Sequence, residues 1–497
     1  MSKIRKTPGV YINELQNALP DIHQVETAVP AFVGYTERAG NPEASLYMKP
    51  IRISSMLEFE QLFGTDNPID TINVKLDEHQ NFAIIAIDIP NTVRYLLYDS
   101  LRLFYGNGGG DCYIVSVGLF GNAPTYGYEF ASPPTGLRGG IRVLETYDEP
   151  TLILFPDAVN VTTNGNDDAG FYHLQQLALQ QCESLRDRMA IFDLKENISG
   201  DHSVAISNFR SNIGSNNLEF GAAYSPYLLA PFSREISINA FSGNLKGTNG
   251  QSISLHDLSA ESSHLALIAN YEAASTEEDV EIAERGIYQI HSVIKNIAEQ
   301  IKIKINTIPP SGAIAGVYNM VDVTRGVWKA PANVSVNSVI APSVAIDNAQ
   351  QEKMNVEPNG KSINAIRQFA GRGILVWGAR TLAGNDNEWR YLNVRRLVIM
   401  VEESCKKATE SFSAEPNTST TWVRVKNLIQ NFLTTLWRQG ALAGAKPEDA
   451  FFVKVGLNET MTINDILQNR MNIMIGLAAV RPAEFIILRI TVPMQNT

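Results

Sequence analysis

Residues that could do chemistry come first, and a glycine run is the most conspicuous of them. FYGNGGGDCYIV carries Gly108–Gly110. A phosphate-cradling loop places such glycines after a strand and before a helix, so that the helix N-terminus faces the anion. Here a helical pattern precedes them and a strand pattern follows, which predicts a helix end and a turn. EPNGKSINAI holds Gly360–Lys361–Ser362, the close of a phosphate-loop pattern. The pattern needs a glycine five residues before Gly360, where Asn355 stands, and no apolar strand precedes it. Lys361 is expected at a turn, with Ser362 as a helix N-cap. TNGNDDAGF matches a fragment of a calcium loop, but Ala169 stands where that loop must bend and Gln175 where its bidentate Glu belongs. Asp167 and Asp168 are expected to begin the helix that follows.

His256 and His264 flank Glu261 in HDLSAESSH, a spacing that fits no helical zinc pattern. The three cysteines, Cys112, Cys182 and Cys405, are far apart, so no CxxC pair exists for metal or redox work. Neither a GxSxG elbow nor a GxGxxG fingerprint is present. No motif asks for a catalytic, cofactor-binding or metal role. The residues leave open an α/β enzyme, a hydrolase or nucleotide-binding protein, whose catalytic groups are scattered.

The elements that would position any site point to packed α/β architecture. The chain has 497 residues, enough for roughly two to four domains. It is 44% hydrophobic and 19% charged, as packed globular proteins are. A formal net charge of −11, without basic patches, argues against a general nucleic-acid binder. MSKIRKTPGVYINE lacks the apolar run of a signal peptide, and no stretch approaches the roughly 20 apolar residues of a membrane span. Synthesis in the cytoplasm is expected, with any extracellular role reached by lysis or a dedicated route.

Strand and helix patterns alternate over residues 29–118: PAFVGYT, SSMLEFEQLFG, NTVRYLLYDSLRLFYG, CYIVSVG. They alternate again to about residue 310: TLILFPDA, a helix to residue 188, MAIFDL, a helix over 203–213, FGAAYSPYL and one long helix from Glu278 to Ile305. The last third reads as α+β. SINAIRQF is expected as a helix, followed by a Gly371/Gly373 turn and a strand. Two long helices, around Arg395–Lys407 and Arg424–Arg438, precede three strands, AFFVKVG, MNIMIGLAA and AEFIILRITV. Both chain ends have strand character, GVYINEL near the start and AEFIILRI near the end. A strand needs a partner for its row of N–H and C=O groups, and one at a chain end is free to find it on its own domain or on another copy.

The helix bearing Arg395, Arg396, Lys406 and Lys407 could dock an acidic surface. Glu402–Lys406 and Glu403–Lys407 also form i,i+4 pairs in the favourable order, which a solvated face would explain equally well.

Along most of its length the sequence resembles the tail sheath proteins of contractile phage tails and phage tail-like injection systems. The resemblance lies in TPGVYINE, AFVGYT, GGGDCYIV and ILFPDA. It is densest in PPSGAIAGVYNMVDVTRGVWKAPAN, INAIRQFAGRGILVWGARTL, EWRYLNVRRLVIMVEES, LWRQGALAGAKPEDAFFVKVG and RPAEFIILRI. It implies a multidomain α/β and α+β fold: an N-terminal arm (1–28), an α/β domain (29–118), a variable outer α/β domain (119–310), an inner sheath domain (311–483) and a C-terminal arm strand (484–497).

The resemblance further implies a structural subunit without enzymatic activity or cofactor, stacked in rings with other copies around an inner tube protein. Baseplate and terminator or cap proteins are the other partners, with no nucleic acid and no membrane insertion. The arms lend strands to neighbouring copies, which carries the inter-subunit role to Val10, Tyr11, Ile12, Phe485, Ile487, Leu488 and Ile490. Segments around Pro20 and Pro482 would let subunits rotate while those links persist. A helix of the inner domain grips the tube, with Arg395, Arg396, Lys406, Lys407, Arg424, Lys426 and Arg438 as candidates. Energy stored in contacts that differ between extended and contracted states drives the motion, and no nucleotide is needed.

Overall fold

A computed structural model describes residues 21–41, 43–128, 132, 134–161, 168–196, 202–355, 358, 360–480 and, as backbone, 486–493. Its centre is a nine-stranded sheet built from β1 (Pro30–Thr36), β2 (Ile51–Ile53), β3 (Cys112–Leu119), β4 (Leu152–Leu154), β5 (Met189–Asp193), β6 (Gly221–Ser225), β7 (Val334–Ser335), β8 (Ile363–Phe369) and β9 (Gly373–Val376). The spatial order is β7-β9-β8-β6-β5-β4-β1-β3-β2. Neighbours from β8 through to β3 pair in parallel, and antiparallel pairings add β9 and β7 at one edge and β2 at the other. Parallel strands are covered on both faces, so they read as apolar runs rather than alternation. PAFVGYT and MAIFD accordingly have every position buried.

Helices α1 (Leu97–Gly106) and α2 (Ser311–Arg325) pack against each other beside this sheet. Gly312 and Gly316, one turn apart, make the approach close. A methyl group on either would fall inside van der Waals contact of the Ser100 or Phe104 carbonyl. Both helix starts are held by buried carboxylates from the sheet side. Asp157 accepts from Leu96 N at 2.5 Å and from Tyr35 N at 2.8 Å. Asp193, at the end of β5, accepts from Ser311 N at 2.9 Å and Ser311 Oγ at 2.5 Å. Burial pushes Asp157 up to about 6 and Asp193 up to about 7, against the lowering effect of those donors.

The sign of the Asp193 effect is testable. A carboxyl that titrates near 7 when folded and near 4 when unfolded contributes its full stability below about pH 4 and loses it as pH rises through 7. Asp193→Asn keeps an acceptor for Ser311 without the charge. The melting temperature of the wild type should therefore fall, relative to this variant, between pH 5 and pH 8 by on the order of several degrees. Parallel melting curves across that range would show that Asp193 does not titrate there.

The predicted boundaries at 118/119 and 310/311 cut through the sheet, because β1–β3, β4–β6 and β7–β9 come one group from each predicted domain. A smaller core also crosses the first of them. Ile72, Val74 and Leu76 of strand Asn73–Asp77 and its approach pack with Phe241, Ile268, Ile287, Ile294, Ile297 and Ile301. By compactness the chain divides elsewhere: residues 26–400 form one unit, and Val401 onward, with the described residues up to Val25, forms the other.

Two element assignments differ from expectation. SINAIRQF is a strand, β8, hairpinned to β9, so Ser362 precedes a strand; its hydroxyl donates to the carbonyl oxygens of Asn355 and Gly360. INAI fits a helical face as well as a buried strand; pairing of Ile363–Ala365 with Ala223–Ser225 decides for the strand. The long helix to Ile305 breaks at His291 into Glu277–Ile290 and Ser292–Ile305. His291 has an extended backbone, and its Nδ1 accepts from Ile294 N at 3.4 Å, capping the second helix. Its ring stacks on His264 with centroids 4.4 Å apart.

The local signals at two other helix ends match the structure, including the expected glycine turn. Ser55 caps helix Met56–Phe63, which Gly64 closes at φ 89°. Gly108, at φ 90°, turns the chain from α1 into β3.

Candidate assembly interface

The C-terminal unit is built on two long helices and a three-stranded sheet. Helix α3 (Leu392–Glu410) spans the division between the units, which falls between Met400 and Val401. Helix α4 (Ser419–Arg438) buries Val425, Ile429, Phe432, Leu433 and Leu436 along one face, with Trp422 half-buried, and packs against β10 (Phe451–Lys454). Strand β11 (Arg470–Leu477) alternates as a half-buried strand should, with Met471, Ile473, Ile475 and Leu477 fully buried. β10 pairs antiparallel with β11 from Phe451↔Leu477 to Lys454↔Met474.

Strand β12 (Ile486–Pro493) covers the other side of β11. It pairs antiparallel along the strand's full length, from Arg470↔Pro493 to Leu477↔Ile486. Ile487, Leu488 and Ile490 stand opposite Gly476, Ile475 and Ile473. Within this single chain the terminal strand pairs with β11. The reason is local: β11 presents one unpaired edge of N–H and C=O groups, and the nearest matching strand satisfies it. Val10, Tyr11, Ile12 and Phe485 lie outside the described residues.

The basic candidates separate into two groups. Arg395 and Arg396 are each 4% exposed, which excludes them from a docking face. The Arg395 guanidinium lies 4.0 Å over the Phe220 ring and 4.4 Å over that of Trp389. Arg396 makes a bidentate pair with Asp322, at 2.9 and 2.5 Å, and stacks over Tyr318. Arginine's planar fork suits such buried roles, and a helical spacing of charges cannot reveal them. Lys406 and Lys407, by contrast, are exposed, and both ammonium groups reach Glu403, at 3.3 and 3.5 Å. Glu403 is itself buried, so it holds the two lysines from beneath.

On α4, Arg424 pairs with Glu415 at 2.6 Å. Lys426 is half-buried and Arg438 exposed, and neither makes an ion pair among the described residues. Sequence reasoning found the Glu403–Lys407 pair but missed Thr27 and Asp322. Thr27 and Asp322 are 295 residues apart, so no spacing signal could join them.

A Ser–His–carboxylate cluster does occur among the described residues, but without the order of a nucleophilic triad. Ser225 Oγ donates to Glu196 Oε1 at 2.7 Å, and His202 Nε2 lies 2.6 Å from the same hydroxyl. A triad needs the carboxylate on the other ring nitrogen, whereas here Nε2 itself is 3.6 Å from Glu196. Ser225 is fully buried, and the cluster braces β6. Burial pushes the Cys112 and Cys182 thiols up to about 12 and raises that of Cys405 as well, which leaves them unreactive. His256 and His264 do not converge, and no group of three metal-ligating side chains exists among the described residues. No described helix is long and apolar enough to cross a membrane.

Comparison with known proteins identifies this architecture. The phage tail sheath protein central domain matches residues 256–382, and the phage tail sheath C-terminal domain matches residues 384–493. The helical sheath of the anti-feeding prophage (AFP) in its contracted state is 30% identical. That match covers 98% of this chain and 99% of that one, at a TM-score of 0.57. The chain belongs to the contractile tail sheath family.

The sheath complex of an extracellular contractile injection system, PVC, in its contracted state is 29% identical over 98% of both chains, at a TM-score of 0.58. The tail sheath protein of Salmonella phage ViI is 25% identical over 143 residues, and that of Vibrio phage KVP40 25% over 136. These two matches span only 22% and 20% of the phage proteins' own lengths. Membership makes this chain a structural sheath subunit rather than an enzyme, on a mixed α/β multidomain fold.

Proposed function

We propose that this subunit polymerises in stacked rings around an inner tube and contracts to drive that tube through a target envelope. Full-length similarity to sheaths solved in the contracted state carries the reading. A baseplate is the expected partner at one end, because an AFP baseplate structure contains a chain 30% identical over 99% of this one. A terminator protein is expected at the other end, and release of the finished particle from the producing cell follows.

In the assembly, β12 and the strand-like segment at Val10–Ile12 are lent to neighbouring copies. β11 supports this reading, because its edge accepts an eight-residue strand in regular antiparallel register whichever chain supplies it. Such a link combines main-chain hydrogen bonds, at about 1 kcal/mol net each, with side-chain register. The exposed Lys406 and Lys407, together with Lys426 and Arg438, are the tube-facing groups.

Electron microscopy of the purified full-length protein tests the proposal. Long hollow ridged cylinders, formed alone or on co-expression with a tube protein, are the expected result. Small discrete particles under both conditions would overturn it.

A further inference from the structure

The described chain enters the larger unit over Glu26–Val29, and the polar contacts along that stretch differ in kind. Glu26 pairs with Arg52 at 3.0 Å, but its side chain is 62% exposed. Such a surface pair is screened and yields easily. Val29 leads into β1, its N–H donating to Thr151 Oγ1 at 2.9 Å and its carbonyl accepting from Thr151 N at 2.8 Å. Between them, the half-buried Thr27 is held twice by a buried ion pair. Its hydroxyl donates to Asp322 Oδ2 at 2.5 Å, and its carbonyl accepts from Arg396 Nη2 at 3.0 Å.

Asp322 and Arg396 are the bidentate pair between α2 and α3, with side chains 6% and 3% exposed. The Arg396 guanidinium sits 4.6 Å over the Tyr318 ring, whose hydroxyl lies 2.8 Å from that of Tyr224 in β6. One residue of the N-terminal segment is thereby tied to two helices and, through them, to the central sheet.

We propose that Thr27, Asp322 and Arg396 form the mooring that fixes the root of the N-terminal arm. They are positioning residues for strand exchange, and the inference rests on the lent-strand reading above. A lent strand reaches its acceptor at an effective concentration set by the length and stiffness of its tether. Pinning residue 27 shortens the free tether and fixes the direction in which it leaves. Upstream, Ile22 is buried and Val25 N donates to Ser404 Oγ at 3.1 Å, so Thr27 is a further hold on the arm behind those two.

The test uses full-length Thr27→Val, which removes only the hydroxyl bond, and Arg396→Lys, which keeps the charge but not the fork. Removal of residues 1–20 serves as the reference. The threshold concentration for assembly into cylinders and the melting temperature of the unassembled subunit are measured together. Thr27→Val should raise the threshold by about tenfold while the subunit melts within about 2–4 °C of wild type. Arg396→Lys should raise it at least as far. Wild-type thresholds for Thr27→Val, with the 1–20 deletion unable to form long cylinders, overturn the mooring and leave strand lending intact. Wild-type cylinders from the deletion itself would sink strand lending and the mooring with it. If Arg396→Lys does not fold, Thr27→Val decides alone.

Discussion

In assembled cylinders of a Met474→Cys, Arg489→Cys variant, oxidation should convert most of the protein into a ladder of covalent oligomers that collapses on reduction. Met474 and Arg489 are register partners across β11 and β12. Antiparallel partners have Cα atoms roughly 4.5–5.5 Å apart, within the range a disulfide bridges. The native cysteines are fully buried and do not compete. The unassembled subunit should oxidise to a monomer band, because β12 then closes its own sheet as seen here. Only exchange of β12 between copies makes the same cysteine pair join different chains. The local bonds are identical in the two arrangements, which is the usual condition for swapping an element between protomers. Monomer bands alone from well-formed cylinders would show that β12 stays at home.

The second large effect separates the two ends of α3, which looked alike as sequence. Arg396→Ala leaves Asp322 charged and buried without its partner, a change that costs about 3–5 kcal/mol. The unassembled subunit should melt several degrees lower or more, before any question of assembly arises. Reversal of Lys406 and Lys407 to Glu also takes both cations from the buried Glu403, so melting of the unassembled subunit is measured alongside, and Lys406→Gln with Lys407→Gln serves as the milder variant. If these lysines face the tube, the yield of extended, tube-filled particles should drop by at least about tenfold, since opposed like charges repel across an interface. Normal extended, tube-filled particles from the reversed variant would reject the assignment. A well-folded Arg396→Ala subunit with unchanged melting would mean the buried pair is not what holds α2 to α3.

The elements that were legible in the sequence share one property: their periodicity had a single reading. PAFVGYT and MAIFD could only be buried strands, and the α4 stripe from Val425 to Leu436 could only be a helix face. Capping chemistry was equally local, as Ser55 with Glu58 and the glycine turn after α1 show. SINAIRQF failed because four apolar or small positions in a row satisfy either period, and the partner strand that decides between them lies 140 residues away in sequence. The helix break at His291 failed because an isoleucine stripe continues across it, while the His264 ring that stacks on His291 belongs to another helix.

By itself, then, the amino-acid order determined the class of this protein: alternating strands and helices, an α+β last third, no phosphate loop or metal spacing, and long family motifs in sequence. Those properties depend on neighbours within a few turns, where side-chain period and backbone propensity act directly. Only the tertiary structure decided how the pieces combine. It joined three predicted domains into one nine-stranded sheet. It buried Arg395 and Arg396 while leaving Lys406 and Lys407 on the surface. It also placed Thr27 on the Asp322–Arg396 pair. Each of those outcomes depends on groups that sequence separation hides and that burial brings within hydrogen-bond reach, where a charge must find its partner or destabilise the fold.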